Sequence, residues 1–61
     1  MNGKDIKIFR VSRDLTQREL ALLSGVPHFR ISLIERGLEP RPSEREALFK
    51  ALTGGKRKAA S

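Results

Sequence analysis

Apolar residues along this chain recur at intervals of three and four positions, the spacing that lines one face of an α-helix. The spacing predicts four helices, over about 3–13, 17–24, 28–36 and 44–52. No segment alternates apolar and polar residues for long enough to predict a strand. The inward-facing residues form one small core in this interpretation: Ile6, Phe9, Leu15, Leu20, Ala21, Leu23, Val26, Ile31, Ile34, Leu48, Ala51 and Leu52. The sequence therefore predicts an all-α fold, a compact four-helix domain over residues 1–53.

Capping residues support three of these helix starts, the first at Asn2, which has Asp5 three residues on. Thr16 followed by Glu19 fits a capping box, in which each side chain accepts a hydrogen bond from a free backbone N–H of the first turn. Ser43 followed by Glu46 repeats the pattern, with Pro42 placed just outside the helix. All three signals agree with the starts that the apolar spacing predicts.

The segment from residue 16 to residue 37 predicts two helices that meet at a tight corner, a helix-turn-helix. Such a corner needs a glycine, a small residue where the helices cross and apolar residues at set offsets. Gly25 fits the corner, and Gly37 fits a left-handed position that ends the second of the two helices. The remaining requirements are met by Ala21, Val26, Ile31 and Ile34.

The sequence of this segment resembles the Cro/C1-type helix-turn-helix family of phage repressors and small bacterial regulators. It reads LTQRELALLSGVPHFRISLIERG. The resemblance covers roughly residues 5–52 and extends through Ile6, Phe9 and Arg10. It implies a lambda-repressor-like fold, in which the helix over 28–36 enters the major groove of double-stranded DNA. The matching positions are Leu15, Thr16, Gln17, Glu19, Leu20, Ala21, Gly25, Val26, Ile31, Ser32, Ile34, Glu35, Arg36 and Gly37.

The chain departs from the family pattern in three places. Pro27 stands where members usually carry a capping Ser or Thr, so the third helix loses its side-chain cap. The linker LEPRP is about one residue longer than usual, and the fifth helix common in the family has no counterpart before GGKRK. The resemblance implies a homodimer on a pseudo-palindromic operator. Apolar residues that can stay exposed in a monomer are the candidates for its interface: Leu38, Phe49 and, although it also fits the core, Leu52.

The outward face of the third helix is the candidate reading surface, since Ile31 and Ile34 point inward. Its residues are His28, Phe29, Ser32 and Leu33. His and Ser can hydrogen-bond base edges, and Phe and Leu can cover thymine methyl groups. The alternatives are a core aromatic at Phe29 and an ordinary surface histidine at His28.

Phosphate contacts are expected on either side of this face. The resemblance implies that Gln17, at the start of the second helix, binds a phosphate. Basic residues could do the same or could remain solvated charges: Arg18, Arg30, Arg36, Lys56, Arg57 and Lys58. The resemblance also implies an internal ion pair between Arg10 and Glu35, which makes Glu35 structural.

The sign of the net charge agrees with an anionic partner, but the distribution of the charge along the chain weakens this argument. The 61 residues carry 13 Lys and Arg against 7 Asp and Glu, a net charge of +6. Basic proteins of this kind are suited to nucleic acid. Half of the excess lies in a tail, 54–61, whose low apolar content predicts disorder. The predicted domain itself is only mildly basic.

Composition disfavours several other classes of function. There is no cysteine, and the single histidine has no partner for a metal site. No nucleophile–base pair or glycine phosphate loop indicates an enzyme, a cofactor or a small-molecule ligand. No apolar run approaches the roughly 20 residues that span a bilayer. We expect a cytoplasmic, nucleoid-associated protein of prokaryotic or phage type.

The sequence thus predicts a sequence-specific DNA-binding transcriptional regulator. A second interpretation is a protein-interaction module, antitoxin-like or anti-activator, that uses the same fold on a protein partner. The apolar Phe29 and Leu33 on the supposed reading face favour this alternative. A DNA-architectural or recombination-directionality role is a third.

Overall fold

Four α-helices make up most of residues 2–53, the part of the chain that the structure, a computed structural model, describes. They are α1 (Gly3–Ser12), α2 (Gln17–Ser24), α3 (His28–Glu35) and α4 (Pro42–Thr53). No strand occurs within these residues, so the predicted all-α class is confirmed. The predicted tail over 54–61 lies outside the described residues.

The core lies where the four helices meet, and it is entirely apolar within the described range. Helix α2 packs against α3 and α4, and α1 packs against the same two helices. Each helix therefore contributes one or two side chains that are removed from water, which is the main favourable term in folding. The buried residues are Ile6, Leu20, Val26, Ile31, Ile34, Leu48 and Leu52.

Two residues expected in this core are exposed instead. Phe9 is 38% exposed and Leu23 is 62% exposed. Both lie three positions after a buried residue, but the buried stripe of each helix runs through other positions. On α2 the stripe consists of Gln17, Leu20, Ala21 and Ser24, the i, i+3, i+4, i+7 pattern of one helix face. The prediction for Leu23 was wrong because Ser24 occupies the fourth place on that face.

The ends of α1 and α4 are joined by Arg13. Its Nε donates a hydrogen bond to the backbone carbonyl of Leu52. Its guanidinium carbon lies 6.0 Å from the centroid of the Phe9 ring, within the range of a cation–π contact. The exposed Phe9 ring is thus covered on one face by a charged side chain instead of by the core.

Capping chemistry sets the helix starts, though not always as predicted. At α2 the predicted box forms, with Thr16 Oγ1 accepting from Glu19 N at 3.0 Å and Glu19 Oε1 accepting from Thr16 N at 2.8 Å. The predicted box at Ser43 was wrong, because α4 begins earlier, at Pro42. Proline suits a first helical position, since it lacks the N–H that would be unpaired there.

Glycines end the two helices of the predicted helix-turn-helix. Gly25 follows α2 with φ of 79°, and Gly37 lies beyond α3 with φ of 123°. Beyond α3 the N–H groups of Gly37 and Leu38 donate to the carbonyls of Ile34 and Leu33, both at 3.0 Å. This is the Schellman arrangement, which needs a residue with positive φ. Helix α3 has no side-chain cap at Pro27, as expected.

The N-terminus of α1 lies against the C-terminal end of α3. Gly3 is buried, and a Cβ atom added to it would lie 1.9 Å from the carbonyl oxygen of Ile34. No side chain fits in this space, so the two backbones can approach only because residue 3 is a glycine.

Replacing this glycine should separate the two helices. We expect Gly3→Ala to lower the free energy of unfolding by about 1–3 kcal/mol, the usual cost of overpacking, although alanine normally stabilises a helix relative to glycine. Urea denaturation at 25 °C measures the change. Lys4→Ala, at the exposed next position, is the control and should shift stability by less than about 0.5 kcal/mol. Equal stability of Gly3→Ala and the wild type would contradict the close approach.

Candidate nucleic-acid interface

Helix α3 presents a mixed apolar and polar face to solvent. Ile31 and Ile34 are fully buried, which directs the opposite side of the helix outward. On that side Phe29 is 64% exposed and Leu33 is 41% exposed. His28 is also exposed, and Ser32 is half-buried. The exposure of Phe29 excludes the alternative that it is a core aromatic.

An ion pair between α1 and the end of α3 holds this face in place. Arg10 Nε donates to Glu35 Oε2 at 2.7 Å, and Arg10 Nη2 donates to Glu35 Oε1 at 3.1 Å. The two side chains are only 11% and 4% exposed. Arg10 Nη1 also donates to the carbonyl of Leu15 at 2.7 Å. Such a two-pronged contact fixes both the distance and the orientation of the pair.

The Glu35 carboxylate continues the network toward the start of α3. Gln17 Nε2 donates to Glu35 Oε1 at 3.0 Å. The other end of the same amide, Gln17 Oε1, lies 3.0 Å from His28 Nε2. An unbroken chain of side chains therefore runs from Arg10 to the first residue of α3. Gln17, expected to bind phosphate, has partners within the protein at both amide atoms.

A second ion pair connects α3 to the start of α4. Arg30 Nε and Nη2 donate to Glu44 Oε2 and Oε1, each at 2.8 Å. Glu44 Oε1 also accepts the backbone N–H of Arg41 at 3.0 Å. The Glu44 carboxylate engages two of the five N–H groups of the Arg30 guanidinium. The predicted phosphate contact of Arg30 stays a prediction, and it would use the remaining N–H groups.

These contacts shift the ionisation of Glu44. Hydrogen bonds from the Arg30 side chain, and then from the Arg41 backbone, favour the charged carboxylate and lower the pKa of Glu44 to about 2. The side-chain hydrogen bonds to Glu44 in turn raise the pKa of Arg30. The pair thus remains charged at every pH at which the protein is expected to work.

The remaining polar candidates line two open grooves. Gln17, Arg18 and His28 line one groove of about 490 Å³ at the first turn of α2, together with Asp14. Arg36 lines another groove, of about 550 Å³, beside the N-terminus of α1. Within residues 2–53 neither Arg18 nor Arg36 forms an ion pair. The predicted contacts Lys56, Arg57 and Lys58 lie outside the described residues.

The three candidate residues for a dimer interface differ in their exposure. Leu38 is 40% exposed and Phe49 is 50% exposed, but Leu52 is 1% exposed. Leu52 lies one helical turn after the buried Leu48 and shares its face, so it belongs to the core and cannot contact a partner. The assignment of Leu52 to an interface was wrong.

Sequence reasoning missed the role of Glu44. That role had a detectable signal: if α4 begins at Pro42, Glu44 is the third helical residue and can reach back to the cap. Leu22, which the predicted core left out, is 85% exposed beside the corner between α2 and α3. It lies two positions after the buried Leu20 and therefore on the other side of the helix.

The corner at Gly25, the buried residues around it and the exposed face of α3 define a helix-turn-helix domain. A family model described as helix-turn-helix matches residues 6–52, more than three quarters of the chain. The chain belongs to this family, the Cro/C1 type of DNA-binding regulators, so DNA is its class of partner. Comparison with curated proteins and with solved structures gave no match.

Residues 2–53 contain neither a membrane-spanning helix nor a metal-binding cluster. None of the helices there combines the length and the apolar character needed to span a bilayer. No group of three or more metal-binding side chains occurs within the same range.

Breaking the ion pair between Arg10 and Glu35 should unfold the domain before it affects any surface contact. We expect Glu35→Ala to lower the free energy of unfolding by about 3–5 kcal/mol, because it leaves Arg10 buried without its partner. Glu46→Ala is the matched control, since Glu46 pairs with Lys50 at 3.8 Å on an exposed face, where such pairs contribute about 0–1 kcal/mol. A Glu35→Ala variant that melts like the wild type would show that the pair is not structural.

The pair between Arg30 and Glu44 should make stability depend on pH in acid. The folded-state pKa of Glu44 is about 2 against an ordinary value of 4.5, so its ionised form stabilises the fold above pH 4.5. This contribution is lost as the pH falls from 4.5 toward 2. The stability difference between the wild type and Glu44→Gln should therefore be largest near neutral pH and shrink in this window, as measured by urea titrations at several pH values.

Glu39→Gln provides the comparison for this titration. Glu39 is 87% exposed, and its nearest cation, Arg45, lies at 3.9 Å, so the substitution should change stability little at any pH. If the stability difference between the wild type and Glu44→Gln stays constant from neutral pH to pH 2, the ionised Glu44 carboxylate is not the source of the pH dependence.

Proposed function

We propose that this protein is a sequence-specific transcriptional regulator that inserts α3 into the major groove of its operator. The observation that carries the proposal is the exposed face of α3, held in place by the pair of Arg10 with Glu35 and that of Arg30 with Glu44. Rigid support of this kind suits a reading helix, because base contacts depend on a fixed register. Such a protein acts by occupying DNA and needs no catalytic group or cofactor.

The proposed contacts fall into two groups. Bases are contacted by the outward residues of α3: His28, Phe29, Ser32 and Leu33. Phosphates are contacted by Arg18 and Arg36, which have no ion-pair partner within residues 2–53. Gln17 keeps one amide N–H beyond the one it donates to Glu35, and that group can add a phosphate contact. Lys56, Arg57 and Lys58 would strengthen binding through charge alone.

A homodimer is the form proposed to bind DNA. Leu38 and Phe49 are apolar and partly exposed, which supports an interface between two copies at the linker and α4. Two-fold symmetry would place a copy of α3 in each half of a pseudo-palindrome. DNA as the partner would locate the protein in the cytoplasm with the nucleoid.

One observation favours a second candidate, a module that binds a protein. Phe29 and Leu33 lie one helical turn apart on the same face and are both substantially exposed. Adjacent exposed apolar side chains are typical of surfaces that bind another protein. In this candidate the same face of α3 would contact an apolar partner.

Selection from a pool of random duplexes separates the two candidates. The proposed regulator should enrich one sequence and bind it with a dissociation constant of about 10⁻⁸ M or lower at physiological salt. Phe29→Ala should weaken binding about 5–150-fold, the equivalent of losing one base contact, and should relax the preference at one position. Ile8→Ala is the matched control, because Ile8 is an apolar residue of similar exposure, 58%, on α1.

The outcomes are distinct. Equal binding to the selected and a scrambled duplex, with affinity that disappears as salt is raised, would contradict sequence-specific regulation and favour the protein partner. The symmetry of the selected sequence tests the dimer. Inverted half-sites whose centres are about 10 base pairs apart support it, and a single unpaired half-site contradicts it.

A further inference from the structure

We propose that the hydrogen-bond chain from Arg10 through Glu35 and Gln17 fixes the tautomer of His28, so that His28 Nδ1 accepts a hydrogen bond from an exocyclic amine of adenine or cytosine. The inference rests on the proposed function and assigns a base chemistry to one residue of the reading face. In it, His28 touches the base, and Gln17 is a positioning residue.

The contact with Glu35 sets the orientation of the Gln17 amide. The Glu35 carboxylate accepts two hydrogen bonds from Arg10, at 2.7 and 3.1 Å, and a carboxylate can only accept hydrogen bonds. The Gln17 atom that lies 3.0 Å from Glu35 Oε1 must therefore be the NH₂ group. The amide oxygen of Gln17 is then turned toward His28.

The orientation of the Gln17 amide in turn sets which nitrogen of His28 carries the hydrogen. An amide oxygen accepts and never donates, so His28 Nε2, at 3.0 Å from Gln17 Oε1, must carry a hydrogen. A neutral imidazole has a single N–H. His28 Nδ1 is therefore left with a free lone pair, and it is an acceptor.

The Nδ1 acceptor of His28 can recognise only a hydrogen-bond donor. His28 is the first residue of α3, and its side chain is exposed. Because Nε2 is engaged by Gln17, only Nδ1 is free to contact DNA. In the major groove adenine N6 and cytosine N4 are donors, whereas guanine N7, guanine O6 and thymine O4 are acceptors. An acceptor at Nδ1 selects the amine and opposes the others.

The tautomer can be measured directly in the free protein. His28 is the single histidine of the chain, so nitrogen-15 NMR of the imidazole needs no further assignment. At about pH 8, above the range in which histidine is usually protonated, we expect Nε2 to carry the hydrogen and Nδ1 to lack it. A neutral ring protonated at Nδ1 would overturn the proposal.

The base contact can be tested by deleting single atoms from the DNA. The probe is the duplex selected from the random pool, altered at the position where His28→Ala changes the selection. Purine in place of adenine, or pyrimidin-2-one in place of cytosine, removes the amine. We expect the wild type to lose about 3–10-fold in affinity, the equivalent of one hydrogen bond. His28→Ala should show a smaller loss, because this variant already lacks the contact with the amine. Comparing both proteins on both duplexes cancels the changes in base pairing.

A second modified duplex tests the opposite chemistry. Where the position carries a purine, the 7-deaza base removes the N7 acceptor and keeps the exocyclic group. Its effect should be the same for the wild type and His28→Ala. If His28→Ala instead abolishes the effect of the missing N7, then His28 donates to the base and the proposal fails.

The positioning role of Gln17 has its own readout. Gln17→Met keeps the length of the side chain but removes the amide. It should reduce discrimination at the position read by His28 and leave preferences elsewhere unchanged. A purely structural role would weaken binding equally at all positions, and that result would overturn the assignment.

The experiments distinguish a failure of this inference from a failure of the proposed function. A pool that yields no selected sequence overturns both. A selected sequence whose every position is unaffected by His28→Ala overturns the role of His28 and leaves the regulator intact.

Discussion

The carboxylate of Glu35 is the constraint on which the arrangement of the helices depends. It is almost fully buried, and a buried charge is costly unless it is paired and hydrogen-bonded. Arg10 from α1 and Gln17 from α2 satisfy it together, so three helices must meet at one residue of α3. A displacement of α1 or α2 would remove one of these donors from the buried charge. The network therefore fixes the orientation of α3 as well as its position.

This support matters because α3 has little stability of its own. It is eight residues long, with no side-chain cap at Pro27, and helices of this length are marginal in water. Its inward face is held by Ile31 and Ile34, and contacts with Glu44 hold its side toward α4. The outward face can therefore carry exposed apolar residues without collapsing onto the core. The reading surface is a product of tertiary contacts rather than of helix propensity.

Local signals in the sequence were sufficient for the outline of the fold. The box at Thr16, the corner at Gly25 and the spacing of Ile31 and Ile34 act over a few residues, and the structure has all of them. The errors concern residues whose surroundings are set by the packing of a neighbouring helix. Leu52 fits either a core or an interface until the direction of α4 is known. The contacts of Arg30 depend on Glu44, fourteen positions away, and no short-range pattern indicates such a pair.

The sequence by itself determined the class of protein, the helix-turn-helix and the residues on the outward side of α3. Periodicity and capping follow from backbone geometry, which is nearly independent of the rest of the chain. The tertiary structure alone decided which polar residues are free to contact a partner. It assigned Arg30 to Glu44 and joined Gln17 to both Glu35 and His28. Hydrogen bonds are short and directional, so the partner of a polar side chain is settled only when the helices have packed.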